Sequence, residues 1–405
     1  MSFATIEEAL EEIRAGKPII VVDDENRENE GDITIAASHA TPDMINFMAR
    51  FGRGLICAPV HPSYFEHMQI PLMVPAEDNH SKYGTNFGLS VGAATGVTTG
   101  ISAADRSKTV QVLIDPASRP EDLTRPGHIF PLRAREEGVL VRRGHTEAAV
   151  DLARLAGEPP AGVICEILKD DGTMARLPDL EIFAETHNLK IITIDELVSW
   201  RRQHENFVTR VDASRVPTRF GEFQAVAYKD PKGLEHLAMC MGDLKTADLP
   251  VRMHSACLTG DVFGSLRCDC GEQLEMAMTR IQEEGRGIVL YLAQEGRGIG
   301  LGNKIKAYSL QDQGMDTVEA NRHLGFPDDA RTYDVGAAIL KDLEVSSIAL
   351  MTNNPSKVEE LTSCGIQVSN RIPHRVVAQE DNDNYLRTKA QKLGHLLHED
   401  DEKTP

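Results

Sequence analysis

Cys257, Cys268 and Cys270 fall in one short run, the last two separated by a single residue. Thiols at this density suit a soft-accepting cation, zinc above all. Three thiolates leave a tetrahedral ion one position for water, which makes it a catalyst, whereas a fourth protein ligand makes it a structural clamp. Cys240, Cys364 and His254 could each complete a closed site, so spacing alone leaves both readings open. Arg267, beside Cys268, favours the thiolate form. Three-cysteine ligation of this kind serves attack on purine and pyrimidine rings in zinc deaminases.

Two other segments of the second half carry anion-binding chemistry. Gln294–Lys304 is rich in glycine and follows the apolar run Gly287–Leu292. It fits neither the dinucleotide fingerprint, because Leu301 or Asn303 stands where the third glycine belongs, nor the P-loop, because no Gly-Lys-Ser/Thr follows. Its backbone N–H groups could still cradle phosphate, with a tight structural turn as the rival reading. In Met351–Lys357 an apolar run ends, Pro355 sits at a helix start and Lys357 lies in the first turn, where anions are favoured.

The first half offers hard oxygen ligands instead. Asp23–Asp32 follows the apolar run Ile19–Val22 and sets Asp23, Asp24, Glu25, Glu28 and Glu30 around Arg27. This is either a solvated turn or a ligand set for Mg2+ beside an arginine for a phosphate or diol. Arg142–Glu147 adds His145, Thr146 and two arginines about Gly144, and Glu166 ends the apolar run Pro160–Glu166. Carboxylates at strand ends with a histidine make a proton-transfer and metal site.

Elements that could position these groups are legible. Thr5 and Glu8 form a capping box for an N-terminal helix that stops at Gly16. Ile19–Val22, Val163–Cys165 and Lys190–Ile194 read as strands between helical patterns. A β-rich stretch begins near Phe207, then Gly287–Leu292 and Ser347–Met351 (strands) alternate with Asn303–Gln311 and Ser356–Cys364 (helices). The expected architecture is mixed α/β in two domains: an α+β domain over residues 1–203 and an α/β zinc-containing domain over 204–397. An acidic tail covers 398–405.

With Lys+Arg 43 against Asp+Glu 62, the chain of 405 residues carries a formal charge of −19. That field repels nucleic-acid backbones, while local basic pockets still admit small phosphorylated substrates. A zinc ribbon would need a second cysteine pair, which the sequence lacks. The seven cysteines fit a reducing compartment. The acidic N-terminus is unlike a signal peptide and no apolar run reaches membrane-spanning length, so a cytoplasmic protein with no membrane partner is expected.

On Asp24–Asp32, Gly96–Arg106, Arg125–Arg133, Gly144–Glu147 and Asp170–Ala175, the first half resembles 3,4-dihydroxy-2-butanone 4-phosphate synthase. That family converts ribulose 5-phosphate to a four-carbon ketone phosphate plus formate, using Mg2+ or Mn2+. The resemblance implies that Glu28 and His145 bind the metal and that Arg27, Glu28, Asp32, Arg142, Arg143, Gly144, His145, Thr146 and Glu166 meet the substrate. It makes Glu166 a proton-transfer residue and places Cys57 in a loop near the site. Arg143 departs from a usually small residue.

On Cys257–Gly271, Gln294–Lys304, Tyr308–Gly314, Thr317–Asn321, Leu324–Phe326 and Leu350–Lys357, the second half is similar to GTP cyclohydrolase II. That family opens the imidazole ring of GTP, releasing formate and pyrophosphate and leaving a diaminopyrimidinone ribosyl phosphate. The resemblance implies zinc on Cys257, Cys268 and Cys270, with its water directed at guanine C8. It implies GTP contacts from Arg252, Met253, His254, Ser255, Ala256, Gln273, Glu295, Gly296, Arg297, Thr317, Thr352 and Lys357, and a divalent ion with the pyrophosphate. Asp329 aligns with the general base and Tyr308 with an assisting residue. Arg331 aligns with a proposed nucleophile on the α-phosphorus; because guanidinium stays protonated, charge stabilisation is an equal role. Both families form homodimers. Ala256 and Ala293 replace a usual glutamate and arginine, which raises a rival expectation: a GTP half retained only as a scaffold.

Overall fold

The computed structural model describes residues 3–376 apart from Asp328 and Ala330; the tail expected at 398–405 lies outside the described residues. Two compact units meet in sequence between Arg201 and Arg202, within the helix Ile194–His204.

The first unit is built on strands Ile19–Val22 (β1), Gly31–Ala36 (β2), Cys57–Val60 (β3), Val91–Ala93 (β4), Leu123–Arg133 (β5), Gly162–Glu166 (β6) and Ile191–Thr193 (β7). They form one sheet in the order β4-β5-β3-β6-β2-β1-β7, with parallel and antiparallel pairs mixed. β1 reads Ile-Ile-Val-Val because both its faces are buried: Ile20 and Val22 enter one core, Ile19 and Val21 the other. The second core is closed by helix Ile6–Arg14, whose Ile6, Ala9, Leu10 and Ile13 repeat at helical spacing. Thr5 and Glu8 make the expected capping box, and Gly16 follows with φ 70°. Cys57 is not in a loop: it opens β3, paired with Phe130 and Ile164.

The second unit contains Thr209–Thr218 (β8), Gly221–Lys229 (β9), Glu235–Met241 (β10), Leu249–Ser255 (β11), Gly287–Leu292 (β12), Ile348–Met351 (β13) and Val368–Ile372 (β14). The order is β14-β13-β11-β12-β10-β9-β8. β8 to β10 form an antiparallel meander joined to β12, and β11 to β14 pair in parallel. The expected strands-then-alternation pattern is therefore one continuous sheet of mixed sense. In parallel sheets the loops leaving strand C-termini gather at one edge, where ligands bind. Those loops here follow β11, β12 and β13, and they carry the cysteines, the glycine-rich run and the Pro355 turn. Among the described residues no helix is long and apolar enough to cross a membrane.

Candidate active sites

In the first unit the acidic run folds back on itself. Asp23, whose side chain is fully buried, accepts the N–H groups of Glu28 (3.0 Å) and Glu30 (2.9 Å) and the Arg27 guanidinium (2.8 Å). Arg27 also donates to Glu28 Oε2 at 2.7 Å. His145 opens helix His145–Leu155 and points Nδ1 to within 3.4 Å of Glu28 Oε2. Asp23, Glu28 and His145 bring ligand atoms within 4.8 Å of one another. Of the carboxylates in the acidic run, Asp23, placed directly after β1, is the one that joins Glu28 and His145.

Asp32 and Glu166 are direct partners across β2 and β6. Glu166 Oε2 accepts the Leu55 N–H at 2.8 Å. Burial pushes the Asp32 carboxyl up to about 7. Burial works against charge on His145, but Asp32 and Glu28 outweigh it and carry the imidazole up to about 9. Burial also raises Glu28, yet His145 and Arg27 bring it down to about 2. Asp32 Oδ1 and His145 Nε2 are buried with no hydrogen-bond partner among the described residues. Orphaned polar atoms of this kind, facing a carboxylate–imidazole group, fit a hard divalent cation and a polar substrate.

Arg142 is held by Glu147, Thr85 Oγ1 (2.8 Å) and the Tyr83 carbonyl (3.1 Å). A Cβ on Gly144 would lie 2.4 Å from Arg142 Nη1 and 3.0 Å from Arg27 Nη2, so glycine lets the two guanidinium groups converge there. Arg143 does not join them. Its exposed side chain pairs with Asp195 at 2.8 Å.

In the second unit the three cysteine sulfurs also lie within 4.8 Å of one another, with Cys257 and Cys268 3.6 Å apart. Gly260 threads between them: a Cβ there would meet Cys268 Sγ at 2.8 Å and Cys257 Sγ at 3.1 Å. The contacts with Cys268 and Cys270, then Lys304, hold the Cys257 thiol far below the ordinary thiol range, and contact with Cys257 pushes Cys268 up to about 11. A thiolate-rich cradle closed by glycine fits a zinc-sized ion. Neither Cys240 nor Cys364 approaches it; both lie in the hydrophobic core. His254 is taken by Asp261, Nε2 to Oδ1 3.0 Å.

The sulfurs line a cleft of about 650 Å³ together with Ser255, Ala256, Glu295, Gly296, Arg297, Tyr308, Thr317 and Arg331. A second cavity of about 510 Å³ shares Ser255, Cys270 and Arg331 with the first and continues to Arg252, His254, Gln273, Thr352 and Lys357. The glycine-rich loop turns sharply, with Gly296 and Arg297 both left-handed (φ 62° and 60°). Asn354 caps helix Pro355–Ser363 by accepting the Ser356 N–H, and buried Lys357 donates to the Met253 carbonyl at 3.1 Å. Met253 itself is a core side chain and offers the site only backbone. Asp329 accepts the Arg331 Nε at 2.9 Å; burial raises its pKa, but Arg331 holds it below the usual carboxylate range.

The sequence reading missed Asp261 and Lys304. Asp261 is a buried hub accepting the Cys257 N–H and the Tyr291 hydroxyl, both at 2.9 Å. Lys304 reaches the sulfur of Cys257. Both lie within motifs already quoted, but only the fold aims them at the cysteines.

Each unit thus holds a metal-competent group, of oxygen and imidazole donors in the first and of sulfur in the second, the arrangement of a two-headed enzyme. Known families agree. 3,4-dihydroxy-2-butanone 4-phosphate synthase matches residues 7–200 and GTP cyclohydrolase II matches residues 209–373. The riboflavin biosynthesis protein RibBA of Bacillus mycoides (strain KBAB4) is 53% identical over 397 residues, covering 98% of this chain and 99% of the relative. A crystal structure of RibBX, a two-domain 3,4-dihydroxy-2-butanone 4-phosphate synthase from A. baumannii, is 37% identical with a TM-score of 0.67, covering 93% of this chain and 100% of that one. A structure of 3,4-dihydroxy-2-butanone 4-phosphate synthase in complex with two magnesium ions is 39% identical over 50% of this chain and 98% of that chain, with a TM-score of 0.48. The chain belongs to the RibBA family of bifunctional riboflavin biosynthesis proteins, joining a 3,4-dihydroxy-2-butanone 4-phosphate synthase to a GTP cyclohydrolase II. The scaffold reading of the second half finds no support.

Proposed function

We propose that the two activities, lyase and hydrolase, run at separate sites, with residues 1–203 serving the first and 204–397 the second. The observation that carries this assignment is the pair of metal-competent groups of different donor chemistry, one in each unit.

In the first site Glu28 and His145, with Asp23 beside them, would hold Mg2+ or Mn2+, which when bound offsets negative charge developing on substrate oxygens. Arg27 and Arg142 fix the phosphate of ribulose 5-phosphate, and Gly144 and Thr146 complete the cradle at the helix start. Glu166 takes and returns protons through dehydration, skeletal shift and loss of formate. Asp32, neutral in part near pH 7, supplies or accepts a second proton opposite it.

In the second site Cys257, Cys268 and Cys270 would hold Zn2+, which when bound lowers the pKa of the water that attacks guanine C8. Arg252, Thr352 and Lys357 face the phosphates from one cavity, a divalent ion joining the pyrophosphate, while Gln273 and His254 line its wall. Ser255, Ala256, Glu295, Gly296, Arg297 and Thr317 surround the base and ribose, and Tyr308 stands beside the cysteines. Asp329 is the base. Its ion pair favours charge stabilisation over nucleophilic attack for Arg331, since a guanidinium so held keeps its proton.

The protein would act as a cytoplasmic homodimer on two small phosphorylated substrates. The test is formate release from ribulose 5-phosphate alone and from GTP alone. Turnover of both is expected, and failure of either substrate in folded, metal-loaded protein removes that half of the assignment.

A further inference from the structure

Lys304 occupies the first turn of helix Leu301–Gln311 and is buried. Its Nζ donates to Cys257 Sγ at 3.1 Å and to Glu295 Oε1 at 2.8 Å. The other Glu295 oxygen accepts the N–H of Leu258, the residue after that cysteine, at 2.6 Å. Glu295 thus grips the cysteine turn with one oxygen and the ammonium with the other. The Cys257 N–H is fixed separately by Asp261. The ammonium also stands 5.7 Å from the centre of the Tyr308 ring. A buried ammonium is costly unless paired. Glu295 alone would satisfy the charge, yet the same ammonium also reaches the sulfur.

The chemistry of three thiolates gives that contact a purpose. Three negative sulfurs on a divalent ion leave an excess negative charge, which weakens its pull on a bound water. An N–H···S bond draws electron density from the donor sulfur and restores part of that pull; partners of metal ligands tune affinity and reactivity in this way. We propose that Lys304 is a positioning residue of the hydrolytic centre: its ammonium, aimed by Glu295, polarises Cys257 and so keeps the ion a stronger Lewis acid than three unassisted thiolates would. This rests on the reading of the three cysteines as the zinc site.

The test uses the full-length chain with zinc, and with cobalt(II) substituted as a spectroscopic probe. Wild type, Lys304→Met and Lys304→Arg are compared for metal content, for the sulfur-to-cobalt charge-transfer band and for GTP kinetics. Without the ammonium Cys257 becomes more electron-rich, so the Lys304→Met band moves to longer wavelength. Its kcat falls roughly 10- to 100-fold while KM for GTP stays near wild type. Lys304→Arg returns most of the kcat. An unmoved band, or a raised KM with unchanged kcat, overturns the proposal and makes Lys304 a substrate contact or a packing residue. Wild-type protein without a metal equivalent sinks the zinc reading itself, a different failure. If Lys304→Met does not fold, Lys304→Gln decides: a shifted band supports the proposal and an unshifted band overturns it.

Discussion

Asp32 stands directly opposite Glu166 across the antiparallel pair β2–β6, so two carboxylates share one edge of the first site. Burial raises the Asp32 carboxyl, and the facing Glu166 adds to the rise. Glu166 is held in place by the Leu55 N–H at 2.8 Å. Glu166→Gln is expected to lower kcat for ribulose 5-phosphate by ~10²- to 10⁴-fold, the usual worth of a positioned acid–base group, and to leave GTP turnover unchanged. Formate assays with each substrate check both arms.

Gly144 is required by space. Its backbone is extended, so alanine costs nothing in φ, but the added Cβ would press on Arg142 Nη1 and Arg27 Nη2. Gly144→Ala should reduce kcat/KM for ribulose 5-phosphate by up to about 100-fold, the effect of displacing positioning groups by about 1 Å. Little change in the unfolding midpoint is expected, which thermal unfolding would show.

Cys268→Ser should remove the zinc equivalent and GTP turnover and spare the synthase; His145→Ala should do the reverse. Metal analysis beside the two formate assays reads both. If either substitution silenced both reactions in folded protein, the two-site assignment would fall.

His374 makes the second unit sensitive to acid. Burial, and then the Arg252 charge, hold its imidazole down at about 3, with Nε2 against the Gln273 carbonyl at 2.8 Å. The unfolded chain takes up this proton near pH 6.5, whereas the folded protein resists until about pH 3. The contribution to stability is therefore present above pH 6.5 and is lost as pH falls toward 3, by at most ~1.4 kcal/mol per pH unit. Urea unfolding at pH 7 and pH 5 should show the loss, and His374→Gln should flatten it.

Ala256 and Ala293 are neighbours. β11 and β12 end on the pair Ser255–Leu292, and the Ala256 N–H donates to the Leu292 carbonyl at 2.8 Å. The two departures from the family pattern thus fall side by side at adjoining strand ends. Ala256→Glu with Ala293→Arg should lower KM for GTP by more than the product of the single changes, because the two charges would start from adjoining strand ends and can pair with each other. A double-mutant cycle on KM measures the coupling.

Much of this protein is written locally. The apolar run Ile19–Val22 announces a strand buried on both faces, the Thr5–Glu8 box starts a helix, and Pro355 with Lys357 marks an anion-facing helix start. Cysteine spacing names a soft metal because ligand chemistry depends on atom type. The sequence could not say whether that site was open. Cys240, Cys364 and His254 remained candidates for a fourth ligand until the fold buried two in the core and gave the third to Asp261. Nor could it turn Arg143 away from its neighbours Arg142 and Gly144, since side-chain direction is set by what packs nearby, here Asp195. The sequence by itself determined which chemistries are present and in which half. Only the tertiary structure decided which groups meet: Asp32 with Glu166 by strand register, and Lys304 with Cys257 across a loop and a helix turn. Burial and hydrogen bonding between distant segments, which no local pattern encodes, make those choices.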